Sequence, residues 1–262
     1  YKYNYELGGN ISSGILGTLP IYDYSIAVED IISKICCSQG LTPLSLTQGS
    51  HIGYSEVTEI NKDKNNNVLG YKVFKYTNFD TNKDDPPVNM RIYAGYDMGV
   101  RNWREYERGK LYYEAAYSKD NKKVFQKTYD YSVEEGTPIR AIQFKGALVA
   151  KCDLQKSIND WTGIAYYVYN NSYLLSKETE TRYDLLGLNP VTTTIQYFYN
   201  KLNFIKDKIV MGSDDNPHVT EITYSGDDVS WENDVYPAMK VKNMLSYPIE
   251  TKEFVRNWVT GA

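Results

Sequence analysis

Strand-length runs in which apolar and polar residues alternate, broken by short polar stretches, cover most of this 262-residue chain. A period of two places successive side chains on opposite faces of a β-strand. Four pairs of such runs are joined by breaks of five to seven residues that contain Asp or Asn, and each pair reads as a hairpin. The first joins 54–61 to 68–79 through KDKNNN, the second 111–118 to 124–132 through KDNKK. The third joins 173–183 to 191–200 through DLLGLNP, the fourth 204–211 to 218–225 through GSDDNP. Each returning arm opens on Val, or on His then Val, and closes near a tyrosine, which makes an internal repeat of irregular spacing.

The faces of these arms predict the kind of sheet. Val191, Ile195, Tyr197 and Tyr199 share one face of the third returning arm, and Thr192, Thr194 and Gln196 share the other. Ser176, Glu178, Glu180 and Arg182 line up on one face of the outgoing arm, which is expected to be wet. Strands with one polar face belong to antiparallel sheets. The predicted fold is therefore all-β: a wide antiparallel meander of long β-hairpins, able to curl into a wrap or half-barrel. Residues 1–262 are expected to form a single repeat-like domain.

Val68 is followed at plus six and plus eight by Phe74 and Tyr76, as Val191 is by Tyr197 and Tyr199, and that face is expected to be the more buried. In the Val124 arm, Tyr129 and Tyr131 fall at odd offsets, so a bulge or a register shifted by one is expected there. Helix signals are weak. Residues 26–35 read as strand or irregular turn, 228–239 as a helical turn, and 79–99, with its Pro-Pro, as a long excursion between hairpins.

Composition changes this picture in one respect. The chain has 26 Tyr against 7 Phe, which suits broad sheet faces that are only partly dry. The net charge of -4 comes without a basic stripe, which disfavours nucleic acid. No apolar run approaches the ~20 residues that span a bilayer as a helix. Cys36, Cys37 and Cys152 are an odd count. A bridge from Cys36 or Cys37 to Cys152 is one arrangement, and free thiols packing as small hydrophobes is the preferred one. The chain begins at Tyr1 without Met or a signal peptide and is expected to be a processed or excised piece of a longer protein.

Residues that carry chemistry elsewhere find poor settings here. His51 lies near Ser50 and Ser55, but adjacency in sequence does not make a triad, and there is no G-x-S-x-G elbow. His218 opens a hairpin arm beside Pro217. DTNKDD, from Asp80 to Asp85, alternates oxygens as a calcium loop does, yet Asp85 and Arg91 stand where such a loop needs Gly and Glu. Glu178 and Glu180 form a carboxylate pair that reads as sheet surface. Trp103, Trp161, Trp231 and Trp258 are dispersed and read as core. No catalytic, cofactor or metal residues are assigned.

The stretch YDLLGLNPVTTTIQYFY, residues 183–199, resembles the YD repeat of RHS-type proteins. Tyr183, Asp184 and Gly187 match the Tyr-Asp and the turn glycine, and Tyr197 and Tyr199 match the returning Tyr-x-Tyr. TQGSHIGYSEVTEI, YERGKLYYEAAYSKDNKKV and NMLSYPIETKEF are also similar to large RHS-like secreted proteins of Gram-negative bacteria, so the resemblance runs over 47–254. It implies β-sheets that spiral into shells. DLLGL lacks the Pro of the family's self-cleaving Asp-Pro-x-Gly-Leu, and Asp184 is not assigned that role.

The function expected is a non-enzymatic structural or interaction segment of a secreted or cell-envelope RHS/YD-repeat-like protein, with its export signal outside this chain. Its partners would be the rest of the parent chain and an unidentified protein or glycan, with no nucleic acid, transmembrane segment or cofactor. A glycan-binding module using sheet tyrosines is the alternative, and a hydrolase ranks third.

Overall fold

The computed structural model describes residues 12–16, 23–28, 31–36, 50, 52–86, 102–146, 161–212, 216–227 and 235–256. In chain order its strands are β1 (Gly14–Leu16), β2 (Asp23–Val28), β3 (Ile31–Cys36), β4 (Ile52–Tyr54), β5 (Glu56–Lys62), β6 (Val68–Tyr76), β7 (Leu111–Ser118) and β8 (Lys123–Glu134). They continue with β9 (Ile139–Gly146), β10 (Trp161–Val168), β11 (Ser172–Arg182), β12 (Val191–Tyr199), β13 (Ile205–Met211), β14 (His218–Tyr224) and β15 (Pro248–Val255). One short α-helix, α1 (Val235–Val241), and a 3-10 turn at Glu105–Glu107 complete the described elements. The all-β expectation holds. Of residues 26–35, 26–28 and 31–35 fall on the antiparallel pair β2–β3, and of 228–239 the described residues 235–239 lie in α1.

Where the sequence reads as a single repeat-like domain, the chain packs as two compact units, neither of them one continuous stretch. The first comprises 1–57, 76–110 and 135–171, and the second 58–75, 111–134 and 172–262. The first unit holds three two-stranded antiparallel sheets, β1–β4, β2–β3 and β9–β10. The excursion expected at 79–99 belongs to it as far as residue 86.

The second unit carries a nine-stranded sheet in the order β15-β14-β13-β12-β11-β8-β7-β6-β5, a meander whose only non-consecutive neighbours are β8 and β11. The third hairpin is as expected: residues 184–190 join β11 to β12, with Arg182 opposite Val191 and Lys177 opposite Gln196. Among the described residues of this unit, Ala115 and Val219 are the buried hydrophobics, and most strand side chains are half-buried. The sheet is partly wet on both faces, which is where tyrosine, with an apolar body and a polar tip, is at an advantage over phenylalanine.

One turn design recurs in this sheet. In Asp63–Asn67, Ser118–Lys122, Asp184–Leu188 and Asn200–Phe204, the first residue's N–H donates to the fifth residue's carbonyl, and the fourth residue's N–H donates to the first residue's carbonyl. The side-chain oxygen of the first residue accepts the N–H groups of the third and the fifth. The fourth residue has a left-handed backbone, with φ of 69° at Asn66, 59° at Asn121, 76° at Gly187 and 63° at Asn203. Asn and Gly are the residues that take this conformation at low cost. The repeat seen in the sequence is therefore a five-residue turn. It recurs at Asn200, between two of the hairpins read from the pattern.

Bulges set the faces. Ala116 pairs with Phe125 but Tyr117 pairs with Lys123, so Val124 is an extra residue, as expected for that arm. Ser176 is extra between Leu175 and Lys177, and its hydroxyl donates to the Asp130 carbonyl at 3.0 Å. Ser176 therefore does not continue the row of Glu178, Glu180 and Arg182. Glu178 is paired with both Tyr129 and Ile195, so the supposed wet face of β11 and the aromatic face of β12 are one face of the sheet. Val191, at the start of that face, is 56% exposed, and Val68 is exposed too. Burial begins further along, at Ile195, Tyr197 and Tyr199, where neighbouring strands cover the row.

Candidate functional site

The deepest charged cluster lies in the first unit, where residues 77–86 meet residues 102–109. Both segments are loops by composition. Their backbones join at an antiparallel bridge between Asp85 and Asn102. Asn78, Asn102, Glu107 and Arg108 are all buried. Buried charges require partners, and each of these has them. Arg108, 3% exposed, pairs through Nη2 with Asp84 Oδ1 and donates from Nε to the Asn82 carbonyl at 2.8 Å. Its guanidinium carbon lies 3.9 Å from the centre of the Phe79 ring, a cation–π stack. Arg104 donates from Nε to Asp85 Oδ2 at 3.0 Å and approaches Glu107 Oε1 at 3.6 Å. Asn82 Nδ2 closes the ring by donating to Glu107 Oε2 at 2.8 Å.

Supports surround this knot. The Thr77 hydroxyl donates to the Glu107 carbonyl at 2.7 Å. Asn102 Oδ1 accepts the Tyr167 N–H at 2.7 Å, and the Tyr169 hydroxyl donates to Asp85 Oδ2 at 3.2 Å. Burial pushes the Tyr169 phenol up, with Asp85 next in effect. Beside the knot is a cleft of about 290 Å³, lined by Gly53, Tyr54, Val57, Tyr76, Phe79 and Arg108 among others. A Cβ at Gly53 would stand 2.6 Å from Asn78 Oδ1, so only glycine lets the buried asparagine seat there. The cleft shows aromatic and aliphatic surface, because its one cation is committed to Phe79, Asp84 and Asn82.

A second, shallower network crosses the large sheet. Lys127 Nζ pairs with Glu178 Oε2 at 2.7 Å and lies 5.0 Å from the centre of the Tyr129 ring. The Tyr129 hydroxyl donates to Glu114 at 3.0 Å and the Tyr197 hydroxyl to Glu178 at 3.2 Å. Burial pushes the Tyr129 phenol well up, with Glu114 adding to it. Tyr197 is pushed up to about 12 by burial and then by Glu178.

The residues weighed in the sequence scatter across these settings. Asp84 and Asp85, read as part of a calcium-like loop, are held by Arg104 and Arg108, and Asp80 accepts from Ser55. Among the described residues no group of three or more His, Cys, Asp or Glu is placed to hold a metal ion. Ser50 is tied to the backbone of Ile52. His218 lies exposed on β14, and His51, Cys37, Cys152, Arg91, Trp231 and Trp258 lie outside the described residues. Cys36 is an exposed free thiol. Glu178 is enclosed by Lys127 and Tyr197, and Glu180 is paired with Arg182 at 2.6 Å, so the wet-surface reading of this pair is corrected for Glu178. Sequence reasoning passed over Arg104, Glu107 and Arg108; the one signal for them is the doubled Asp84-Asp85, which calls for two cations. No protein-family model matches this chain, and no curated protein or solved structure shows significant similarity to it.

Proposed function

We propose that this chain is a non-enzymatic structural or interaction segment of a secreted or cell-surface protein built from RHS/YD-like β-repeats. The observation that carries the reading is the turn repeated at Asp63, Ser118, Asp184 and Asn200, with Tyr183-Asp184 at the head of one copy. A turn design that recurs between neighbouring strands is suited to propagating a sheet. The edge strands support it. β5 is exposed throughout and β15 over most of its length, and the two end the nine-strand order. In this reading, neighbouring repeats of the parent protein continue the sheet at these edges.

The test is hydrogen exchange at residues 56–62 and 248–255, compared between this chain and a longer product of the same gene. Protection at either edge should rise at least tenfold in the longer product. Exchange as fast as in the turns of both products would defeat the reading. Glycan binding through sheet tyrosines ranks lower, because the hydroxyls of Tyr129, Tyr131, Tyr197, Tyr199 and Tyr224 already donate within the sheet.

A further inference from the structure

The four equivalent turns form an internal control. Their shared hydrogen bonds fix the backbone through the first and fourth residues and leave the second, third and fifth free to vary. Those three positions are Lys64, Asn65 and Asn67 in one turn, and Lys119, Asp120 and Lys122 in the next. In the β11–β12 turn they are Leu185, Leu186 and Leu188, which are 84%, 68% and 60% exposed. The turn does not need three leucines: the Asp63 and Ser118 turns fold with Lys, Asn and Asp at these positions, and the Asn200 turn carries Lys201, Leu202 and Phe204, of which Leu202 is 41% exposed. Three adjoining leucines held in water at a hairpin tip mark an interaction surface.

Their surroundings indicate the partner. The β7–β8 turn lies alongside: a Cβ placed at Gly187 would stand 3.5 Å from the Lys122 Cβ and 3.4 Å from the Lys123 carbonyl. That neighbouring turn carries Lys119 and Lys122 against Asp120, while the Lys123 ammonium donates to Gln126 at 2.7 Å. The nearest acid in the leucine turn, Asp184, directs Oδ1 to the amides of Leu186 and Leu188 and Oδ2 to Asn189. Exposed apolar side chains at a hairpin tip, with a lysine-bearing turn alongside on a chain that is acidic as a whole, suit an anionic lipid surface: acyl chains receive the leucines and headgroups the lysines. We propose that the β11–β12 turn is a membrane-contact site that inserts Leu185, Leu186 and Leu188 into the interface of anionic bilayers. The proposal stands independently of the repeat-scaffold reading.

Vesicle co-sedimentation tests it, with phosphatidylcholine vesicles and with vesicles containing about one-quarter phosphatidylglycerol. The chain should bind the anionic vesicles, and Leu185→Lys/Leu186→Asn/Leu188→Asn, which copies the sibling turn, should bind at least tenfold more weakly with an unchanged far-ultraviolet spectrum. Lys119→Glu/Lys122→Glu should weaken binding severalfold on the anionic vesicles alone. The proposal is overturned if the chain ignores both vesicle types at millimolar lipid, or if the leucine variant binds as the parent does. It is equally overturned if the leucines instead drive self-association in the absence of lipid, the outcome that assigns this surface to a second copy of the chain.

Discussion

The two units reach order by different routes. The first concentrates it: Arg108, Glu107, Asn78 and Asn102 are buried in one knot of ion pairs and amide bonds, and the loops around it have little regular structure. The second spreads it over repeated turns, half-buried tyrosines and the Lys127–Glu178 pair, with few fully buried side chains. Concentrated interactions fail together when one member is lost, whereas distributed ones lose a small increment at a time. Single substitutions should therefore weigh much more heavily in the first unit than in the second.

The largest effect is expected at the knot. Arg108→Ala removes the ion pair of Asp84, leaving it the Arg104 N–H, and also the stack on Phe79, and breaking a buried pair in this way costs roughly 3–5 kcal/mol. Urea unfolding would measure it, and a loss no greater than a surface ion pair's would erase the contrast between the units. Next comes Glu178→Ala, which leaves Lys127 and the Tyr197 hydroxyl without their shared partner; about 2 kcal/mol is expected. A Lys127/Glu178 double-mutant cycle would separate the pair's own contribution from that of its neighbours.

The same network governs alkaline stability. The Tyr197 phenol is raised to about 12 in the fold, above its unfolded value of about 10. Its contribution is complete below the unfolded value and is lost as pH climbs through the folded one. Phenolate absorbance should show a tyrosine titrating late, and Glu178→Gln should bring it earlier. At the acid end the sign reverses. Asp63 is lowered first by its bond from Asn67, and Asp184 by the backbone of Leu188. Their contribution is present above the unfolded value and lost as pH falls through the lower folded one, so Asp63→Ala/Asp184→Ala should flatten the acid limb of the stability profile.

The smallest effects belong to single turns. Asn200→Ala removes the acceptor for two amides and should cost about 1 kcal/mol. Asn203→Gly, at φ 63°, should be neutral or stabilising by a few tenths of a kcal/mol, roughly. Differences in melting temperature among such variants would show whether the four turns are interchangeable.

Three of the four turns were legible in the sequence because their chemistry is local: an Asp or Ser and a left-handed Asn or Gly three residues later; the Asn200 turn, with Leu202 and Phe204, lacks the polar run that marks the others. The faces were legible only in part. Alternation counts residues, and the extra residues at Val124 and Ser176 shift the parity partway along a strand without a compositional mark. The knot was not legible at all. Asp84 and Arg108 stand 24 positions apart, and DTNKDD read alone suggests oxygen ligands for a cation, when the cations are two arginines of another loop.

The interleaving of the units also shapes the order of assembly. Turns of about five residues close most neighbouring strands of the large sheet, but β8 and β11 are separated by residues 135–171, which belong to the first unit. Chain-closure entropy makes that junction roughly 2 kcal/mol harder to form than a hairpin. It is also the longest seam in its neighbourhood, with ten paired positions against six for β11–β12 and five for β7–β8. On a ribosome, the β5–β8 meander emerges first and waits with β8 as a temporary edge. The β8–β11 seam can pair only once Ser172–Arg182 has been made, so the late, long-range closure of this sheet is expected at its middle.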